Sequence, residues 1–221
     1  SPARGSNSYR SCHPLTRKPG PMVQDDPALS ALIGSRICHD LASPLGAIAN
    51  GLELLSLSGL GKSAELSLIQ DSLRGAVATL DLSRLAFGRA DPGDMVDAHD
   101  LHGILAAYCA GRPRMALDWQ VAGPLARPHA QIIVLLCLGV ERALPRGGQL
   151  RAARAHARIE VSALGGTLTP DLALWDAVKS GTALPAPDPR TAQFNMLHYC
   201  LAMQGLTLDH TLTDGAFTVA V

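Results

Sequence analysis

The chain has 221 residues, of which 47% are hydrophobic and 17% charged, and its 19 basic and 19 acidic residues give a formal net charge of +0. This composition is typical of a globular protein with one large or two small domains, and no run of Lys and Arg offers a face for nucleic acid. The longest apolar stretch, residues 132–140, is far shorter than the roughly 20 residues that cross a bilayer. We therefore expect a cytoplasmic protein that binds neither nucleic acid nor membrane.

The cysteines and histidines give little support for a metal site or a disulfide framework. The 5 cysteines are scattered, and no two of them stand in a C-x-x-C spacing. His99 and His102 lie one helical turn apart, but two ligands without a third make a weak metal site. The sequence therefore predicts reduced cysteines and no bound metal.

The first part of the chain is predicted to be a leader followed by a helical hairpin. Residues 1–26 are rich in Ser, Pro, Arg and Gly and have no apolar period, so we expect them to be disordered. Apolar residues then recur at steps of three and four from residue 28 to about residue 57. After a Gly-containing turn at 58–62, Ser63 can cap a second helix that keeps this period until Asp91-Pro92-Gly93.

Residues 27–92 are therefore expected to form an antiparallel hairpin domain. A single hairpin cannot cover two apolar seams of this length, so two copies should pair into a four-helix bundle. The sequence predicts a homodimer.

Residues 93–221 are predicted to form a second domain in which helices and strands alternate. Apolar periods indicate helices at 96–110, 128–144, 171–179 and 191–204, and strands at 115–121, 149–153, 157–163, 206–212 and 216–221. Asp214-Gly215 is a hairpin turn signal between the last two strands. This order of elements predicts an α+β sandwich with helices on one face of a mixed sheet.

The stretch from Arg36 to Gly51, RICHDLASPLGAIANG, places polar residues in the middle of the first predicted helix. At about 100° per residue, His39 lies roughly 200° from both Ile37 and Leu41, so it points away from the apolar seam. An exposed imidazole with an unperturbed pKa of about 6.5 has a lone pair that can attack phosphorus.

The neighbours of His39 suit the same chemistry. Asp40 can accept the proton of the other ring nitrogen, Ser43 can hold a phosphate oxygen on the same face, and Pro44 loosens the helix after the reactive turn. An ordinary surface histidine on a plain helix surface is the alternative for each of these residues taken alone.

These residues carry a resemblance to a known family. His39-Asp40-Leu-Ala-Ser43-Pro-Leu resembles the H-[ED]-x-x-[TSN]-P phosphoacceptor box of sensor kinases, and ICHDLASPLGAIANGLELL is similar to that of ChpT-type histidine phosphotransferases. The resemblance implies a dimer in which His39 is the phosphoacceptor, Asp40 the adjacent acid and Ser43 a residue of the docking face. It also implies partners, which are response-regulator receiver domains, including that of a hybrid histidine kinase. Those receivers would bring Mg²⁺, a lysine and the phosphorylated aspartate.

The second domain resembles a kinase ATP-binding domain whose nucleotide elements are degraded. The asparagine that would coordinate Mg²⁺ is missing near Gly139, and residues 163–167 read ALGGT where the adenine-binding box D-x-G-x-G would fall. A short Pro-rich segment, residues 181–189, stands in place of the nucleotide lid. We therefore expect a degenerate kinase-like sandwich that binds no nucleotide and no other cofactor.

Two alternatives stay open at this stage. One is an ATP-dependent histidine kinase with an atypical nucleotide site, and the other is a non-catalytic dimeric scaffold that binds signalling proteins and in which His39 has no chemical role.

Overall fold

A computed structural model describes residues 64–88, 90–155, 158–182, 184 and 188–221, with positions 36, 37, 40, 41, 44, 46–48, 50, 51 and 54. Every described position from 36 to 54 is helical, as the apolar period predicts. The expected disordered leader at 1–26 and the expected turn at 58–62 lie outside the described residues.

Helix α1 (Ala64–Phe87) is the second helix of the predicted hairpin. The sequence predicts that it continues to Asp91, but it ends at Phe87, and the chain leaves the helix at Gly88. A Cβ atom at Gly88 would overlap the carbonyl oxygen of Arg84, so this position requires glycine.

Four more helices follow at the positions that the apolar periods predict, within a few residues at each end. They are α2 (Ala98–Ala110), α3 (Arg127–Glu141), α4 (Leu172–Ser180) and α5 (Ala192–Gln204), the last preceded by a 3₁₀ turn at Pro189–Thr191. Side-chain caps fix two of these starts: the Asp97 carboxylate accepts a hydrogen bond from the N–H of His99, and that of Asp171 accepts one from the N–H of Leu174.

The strands form one large sheet and one small ribbon. They are β1 (Met95–Val96), β2 (Met115–Gln120), β3 (Leu125–Ala126), β4 (Gly148–Ala155), β5 (Arg158–Leu164), β6 (Asp209–Thr213) and β7 (Ala216–Ala220). The large sheet has the order β2-β4-β5-β7-β6, in which β2 pairs parallel to β4 and all other pairs are antiparallel. All five predicted strands are therefore confirmed, and so is the mixed sheet. The β1–β3 ribbon is not predicted, because two-residue strands carry no readable alternation.

The core of this α+β domain lies between the sheet and α3. Residues 132–137 of α3 are at most 2% exposed, and the helix packs on β4, β5 and β7 on one side and on α5 on the other. On β5 the side chains of Ile159, Val161 and Ala163 alternate into this core. The apolar run at residues 132–140 is thus part of a buried core helix, as its short length indicates.

The first turns of α3 also hold the end of α1. The guanidinium of Arg127 donates hydrogen bonds of 3.0 Å to the carbonyl oxygens of residues 84 and 85. The side-chain amide of Gln131 donates bonds of 2.9 Å to the carbonyl oxygens of residues 86 and 88. These donors satisfy carbonyls that a helix C-terminus leaves without internal partners, so α3 ties α1 to the sandwich.

No helix in the described part of the chain is both long and apolar enough to cross a bilayer.

Candidate functional site

Asp40 is the one predicted site residue that the structure describes. Its carboxylate is largely buried, with 13% of the side chain exposed, and its Oδ2 atom lies 2.7 Å from Nε of Arg36, one helical turn earlier. His39 and Ser43 lie outside the described residues. Both therefore stay predictions, and Asp40 marks the position of the turn to which they belong.

A groove of about 760 Å³ opens beside Asp40, between the first helix, α1 and α2. The first helix contributes Asp40, Pro44 and Ala47, and the end of α2 contributes Tyr108 and, just beyond it, Arg112. The remaining lining residues are Asp71, Ser72, Arg74, Gly75 and Thr79 of α1, with Ala107, Ala110 and Gly111. The groove is therefore shared by the hairpin and the sandwich.

Three side chains of the sandwich form a compact cluster at this junction. The hydroxyl of Tyr108 donates a 2.8 Å hydrogen bond to Oε2 of Glu141. The Arg112 guanidinium donates from Nε to Oε1 of Glu141 and from Nη2 to the Tyr108 oxygen, and its Cζ atom lies 3.4 Å from the centroid of the Tyr108 ring. Both carboxylate oxygens of Glu141 are thus bound.

The cluster faces the charged pair of the first helix. Arg36 lines a depression of about 190 Å³ together with Tyr108, Arg112 and Glu141. Burial raises the pKa of Tyr108 well above its ordinary value, the charge of Glu141 raises it further, and the charge of Asp40 acts in the same direction. The Arg36–Asp40 pair and the cluster therefore belong to one electrostatic environment.

Aromatic side chains fill the space around Gly139, near which the asparagine expected of a kinase is missing from the sequence. A Cβ atom on Gly139 would lie 2.9 Å from two ring carbons of Trp175 and 3.5 Å from the ring of Phe194. These two rings are each 1% exposed and meet edge to face, with centroids 4.9 Å apart. The end of α3 is thus covered by α4 and α5.

The glycines of two segments, LPRGG at residues 144–148 and ALGGT at residues 163–167, are explained by backbone contacts. In LPRGG, Gly147 has a φ of 84° and the N–H of Gly148 donates a 2.9 Å hydrogen bond to the carbonyl oxygen of Arg114. In ALGGT, the N–H of Gly165 donates a 3.1 Å bond to the carbonyl oxygen of Gly215 in the β6–β7 turn. Both pairs of glycines therefore serve turns at the ends of strands.

No motif in the sequence identifies Tyr108, Arg112 or Glu141 as functional residues. The four-residue spacing of Tyr108 and Arg112 is typical of neighbours on one helix face, and Glu141 is the first charged residue after the apolar run of α3. No pattern in the sequence connects Arg112 to a carboxylate 29 residues later. Only the tertiary fold, which places the ends of α2 and α3 within hydrogen-bond distance, brings them together.

Comparison with known proteins decides the family. The family model described as the histidine phosphotransferase C-terminal domain matches residues 98–216, more than half of the chain. The chain belongs to this phosphotransferase family. The matched residues begin with α2 and end with the start of β7, so the family match covers the sandwich.

Two known proteins are similar to this chain over different spans. The protein phosphotransferase ChpT of Brucella abortus (strain 2308) is 39% identical over 124 residues, which are 55% of this chain and 58% of that protein. The chain thus matches little more than half the length of this curated relative. A solved structure described as a bacterial phosphotransferase aligns with a TM-score of 0.74 at 29% identity, over 87% of this chain and 94% of that one. The structural match therefore also includes residues that precede the family domain.

Proposed function

We propose that the chain is the histidine phosphotransferase of a two-component phosphorelay, and that it carries a phosphoryl group on His39 between response-regulator receiver domains. The observation that carries the proposal is the match of the sandwich to the histidine phosphotransferase domain in a chain whose first helix contains the box HDLASP. In this proposal residues 27–92 are the phosphotransfer and dimerisation domain, and residues 93–221 are a degenerate kinase-like sandwich.

The proposed reaction moves a phosphoryl group reversibly between His39 and an aspartate of a receiver domain. A ring nitrogen of His39 attacks phosphorus, the N–P bond forms, and the bond from phosphorus to the receiver's aspartate oxygen breaks. The aspartate leaves as a carboxylate with the bonding electron pair, and the second receiver reverses these steps. A loose, anionic transition state needs positive charge around it, which Mg²⁺ and a lysine of the receiver would supply.

Asp40 and Ser43 have supporting roles in this proposal. Asp40 follows His39 directly, and its pairing with Arg36 at 2.7 Å restricts the orientation of the carboxylate. A fixed carboxylate can hold one tautomer of a neighbouring imidazole and favour the charged phosphohistidine. Ser43 would lie on the docking face one turn later.

The groove beside Asp40 is our candidate for the receiver's docking site. It offers about 760 Å³ of space and reaches from Ala47 on the first helix to Arg112 of the sandwich. Arg74 and Arg112 provide cations, and Asp40 and Asp71 provide anions, so the surface can discriminate partners by charge. A receiver in this groove would contact both parts of the chain.

The packing around Gly139 supports transfer without ATP. In the kinase-like arrangement, the side chain at this position would reach the metal and the nucleotide. Here the rings of Trp175 and Phe194 occupy that space, and a bound nucleotide would have to displace two nearly fully buried aromatic side chains. The phosphoryl group would therefore come from a receiver.

An exposed apolar pair on α1 supports the proposed homodimer. Leu73 and Val77 lie four residues apart on one face of α1 and are 53% and 50% exposed, whereas the opposite side of α1 packs on α2 and α3. A second copy of the hairpin would cover this face and complete a four-helix bundle. Light scattering should give the dimer mass for the wild type and the monomer mass for Leu73→Glu with Val77→Glu. Met203→Glu, a change at a side chain that is 55% exposed on α5, should stay dimeric.

The proposed function is tested with the full chain and receiver domains that carry labelled phosphate on aspartate. The wild type should take up label that is stable in alkali and lost in acid, and His39→Ala should take up none. His99→Ala, which removes an exposed histidine of α2, should behave as the wild type. Label taken from ATP would instead support a kinase, and equal label in the wild type and His39→Ala would support a scaffold.

A further inference from the structure

Two ion pairs from different parts of the chain meet beside the predicted phosphoacceptor turn. Arg36 and Asp40 of the first helix form one pair, with 13% of each side chain exposed. Arg112 and Glu141 of the sandwich form the other, with 29% and 17% exposed. Arg36 shares a depression with the second pair, and Asp40 shares the larger groove with Arg112. Two cations and two anions are thus gathered at one junction.

Stability alone is a poor explanation for such an arrangement. Removing charges from water costs about as much as their attraction returns, so well-packed apolar residues often serve equally well. Glu141 is also the last residue of α3, where the helix dipole disfavours a carboxylate. The position of Glu141 at the end of α3 is therefore explained by its hydrogen bonds to Tyr108 and Arg112. A guanidinium that donates to both the Glu141 carboxylate and the Tyr108 oxygen defines direction more strictly than apolar contact does.

We infer that Arg112, Glu141 and Tyr108 are positioning residues for phosphotransfer, which hold the Arg36–Asp40 pair and thereby fix the turn that carries His39 relative to the sandwich. This inference rests on the proposed function. The sandwich then has a role in the chemistry beyond contact with the receiver, because it sets the direction in which the imidazole meets the incoming phosphorus. An error of about 1 Å in such a direction can cost a factor of a hundred in rate.

The first experiment separates positioning from docking. Transfer from a receiver domain phosphorylated with acetyl phosphate is measured against receiver concentration for the wild type, Arg112→Gln and Glu141→Gln. The limiting rate should fall by about tenfold to a hundredfold in both variants. In Glu141→Gln, whose side chain does not line the docking groove, the half-saturating receiver concentration should change by less than about twofold. The matched control is Arg190→Gln, which breaks an Arg–Asp pair in the same domain whose arginine is 73% exposed and should leave both quantities unchanged.

A second readout needs no receiver. The pKa of His39 is followed by NMR of the full chain, and the two variants should shift it in opposite directions. Arg112→Gln leaves the Glu141 charge uncompensated, so the pKa of His39 should rise, and Glu141→Gln leaves a cation, so it should fall. Arg112→Lys keeps the charge but not the planar pair of donors to Glu141 and Tyr108, and it should lower the rate without moving this pKa.

The outcomes separate the inference from the function on which it rests. A wild type that accepts no phosphoryl group from any receiver overturns the proposed function. In that case the NMR titration of His39 still tests whether the cluster of Tyr108, Arg112 and Glu141 is coupled to it. Unchanged limiting rates, or a change only in the half-saturating concentration, overturn the inference, as does a His39 pKa that neither variant moves. If Arg112→Gln does not fold by circular dichroism, Tyr108→Phe, which removes one hydroxyl, replaces it in the rate measurement with the same expectation.

Discussion

Gly139 allows a direct test of how tightly α4 and α5 cover the end of α3. The substitution Gly139→Ala adds one methyl group, whose carbon would lie 2.9 Å from two ring carbons of Trp175. Favourable carbon contacts have separations of about 3.5–4.0 Å. The methyl group therefore requires a shift of several tenths of an ångström in a ring that is 1% exposed.

The expected loss in the free energy of unfolding follows from the tight packing of the aromatic rings around Gly139. The ring of Trp175 meets that of Phe194 edge to face, with centroids 4.9 Å apart, and its centroid lies 5.7 Å from that of Phe217. The Trp175 ring therefore cannot rotate away freely. Overpacking of this kind typically costs about 1–3 kcal/mol, and we expect Gly139→Ala to be less stable by that amount than a glycine-to-alanine change at an open helix position, where only helix propensity acts. Gly139→Asn, which restores the residue type of the kinase site, also buries an amide and should lose about 2–5 kcal/mol.

Urea unfolding monitored by circular dichroism measures these losses as changes in the free energy of unfolding. Gly103→Ala is the control, because this exposed glycine of α2 has no atom within 4 Å of an added Cβ. Its helix propensity should make it about 0.5–1 kcal/mol more stable than the wild type. A Gly139→Ala protein within 0.5 kcal/mol of the Gly103→Ala protein, a margin we take as roughly the effect of a neutral surface change, would refute the packing argument.

Three further predictions concern the junction and the buried thiols. Gln131→Leu removes one buried and one partly buried hydrogen bond to the end of α1 and should cost about 2–4 kcal/mol in urea unfolding. Burial and Glu141 raise the pKa of Tyr108, so its contribution to stability is complete below the unfolded tyrosine value of about 10 and is lost as pH rises. Stability should therefore fall more steeply above pH 10 in the wild type than in Tyr108→Phe. Burial raises the pKa of Cys109 to about 11 and that of Cys200 to about 12, so neither thiol should react with iodoacetamide at about pH 8 in the folded chain.

Each of these predictions has a clear contrary outcome. A Gln131→Leu protein as stable as the wild type would mean that water replaces the amide at the end of α1. Parallel pH profiles of the wild type and Tyr108→Phe would mean that the hydroxyl titrates normally. Peptide mass spectrometry detects which cysteines iodoacetamide has alkylated. Carbamidomethylation of Cys109 without urea would show that α2 opens in the native state.

The sequence predicts the secondary structure of the sandwich well because each element has a local signal. The period of two at residues 115–121 and the Asp214-Gly215 turn correspond to β2 and the β6–β7 hairpin. The apolar run at 132–140 lies inside α3, where its length separates a core helix from a membrane span. The end of α1 is missed, because its last carbonyls are held by Arg127 and Gln131, which follow about 40 residues later in the chain.

The candidate site is less predictable because it depends on contacts between distant residues. The box around Asp40 can be read as a motif, and the family match agrees with what the motif implies. The pairing of Arg36 with Asp40 follows the i to i+4 rule, but its meeting with Arg112 and Glu141 is a result of tertiary packing. The same holds for Gly139, whose role is set by Trp175, 36 positions away in sequence.

The most direct test of the central claim is a reconstituted relay of three purified components. A receiver that carries labelled aspartyl phosphate is mixed with this chain and a second receiver, without ATP. Label should pass through this chain, where mass spectrometry at alkaline pH finds it on His39, and then appear on the second receiver. His39→Ala should stop the transfer. Label that reaches the second receiver equally well with His39→Ala, or that reaches this chain only when ATP is added, would contradict the account.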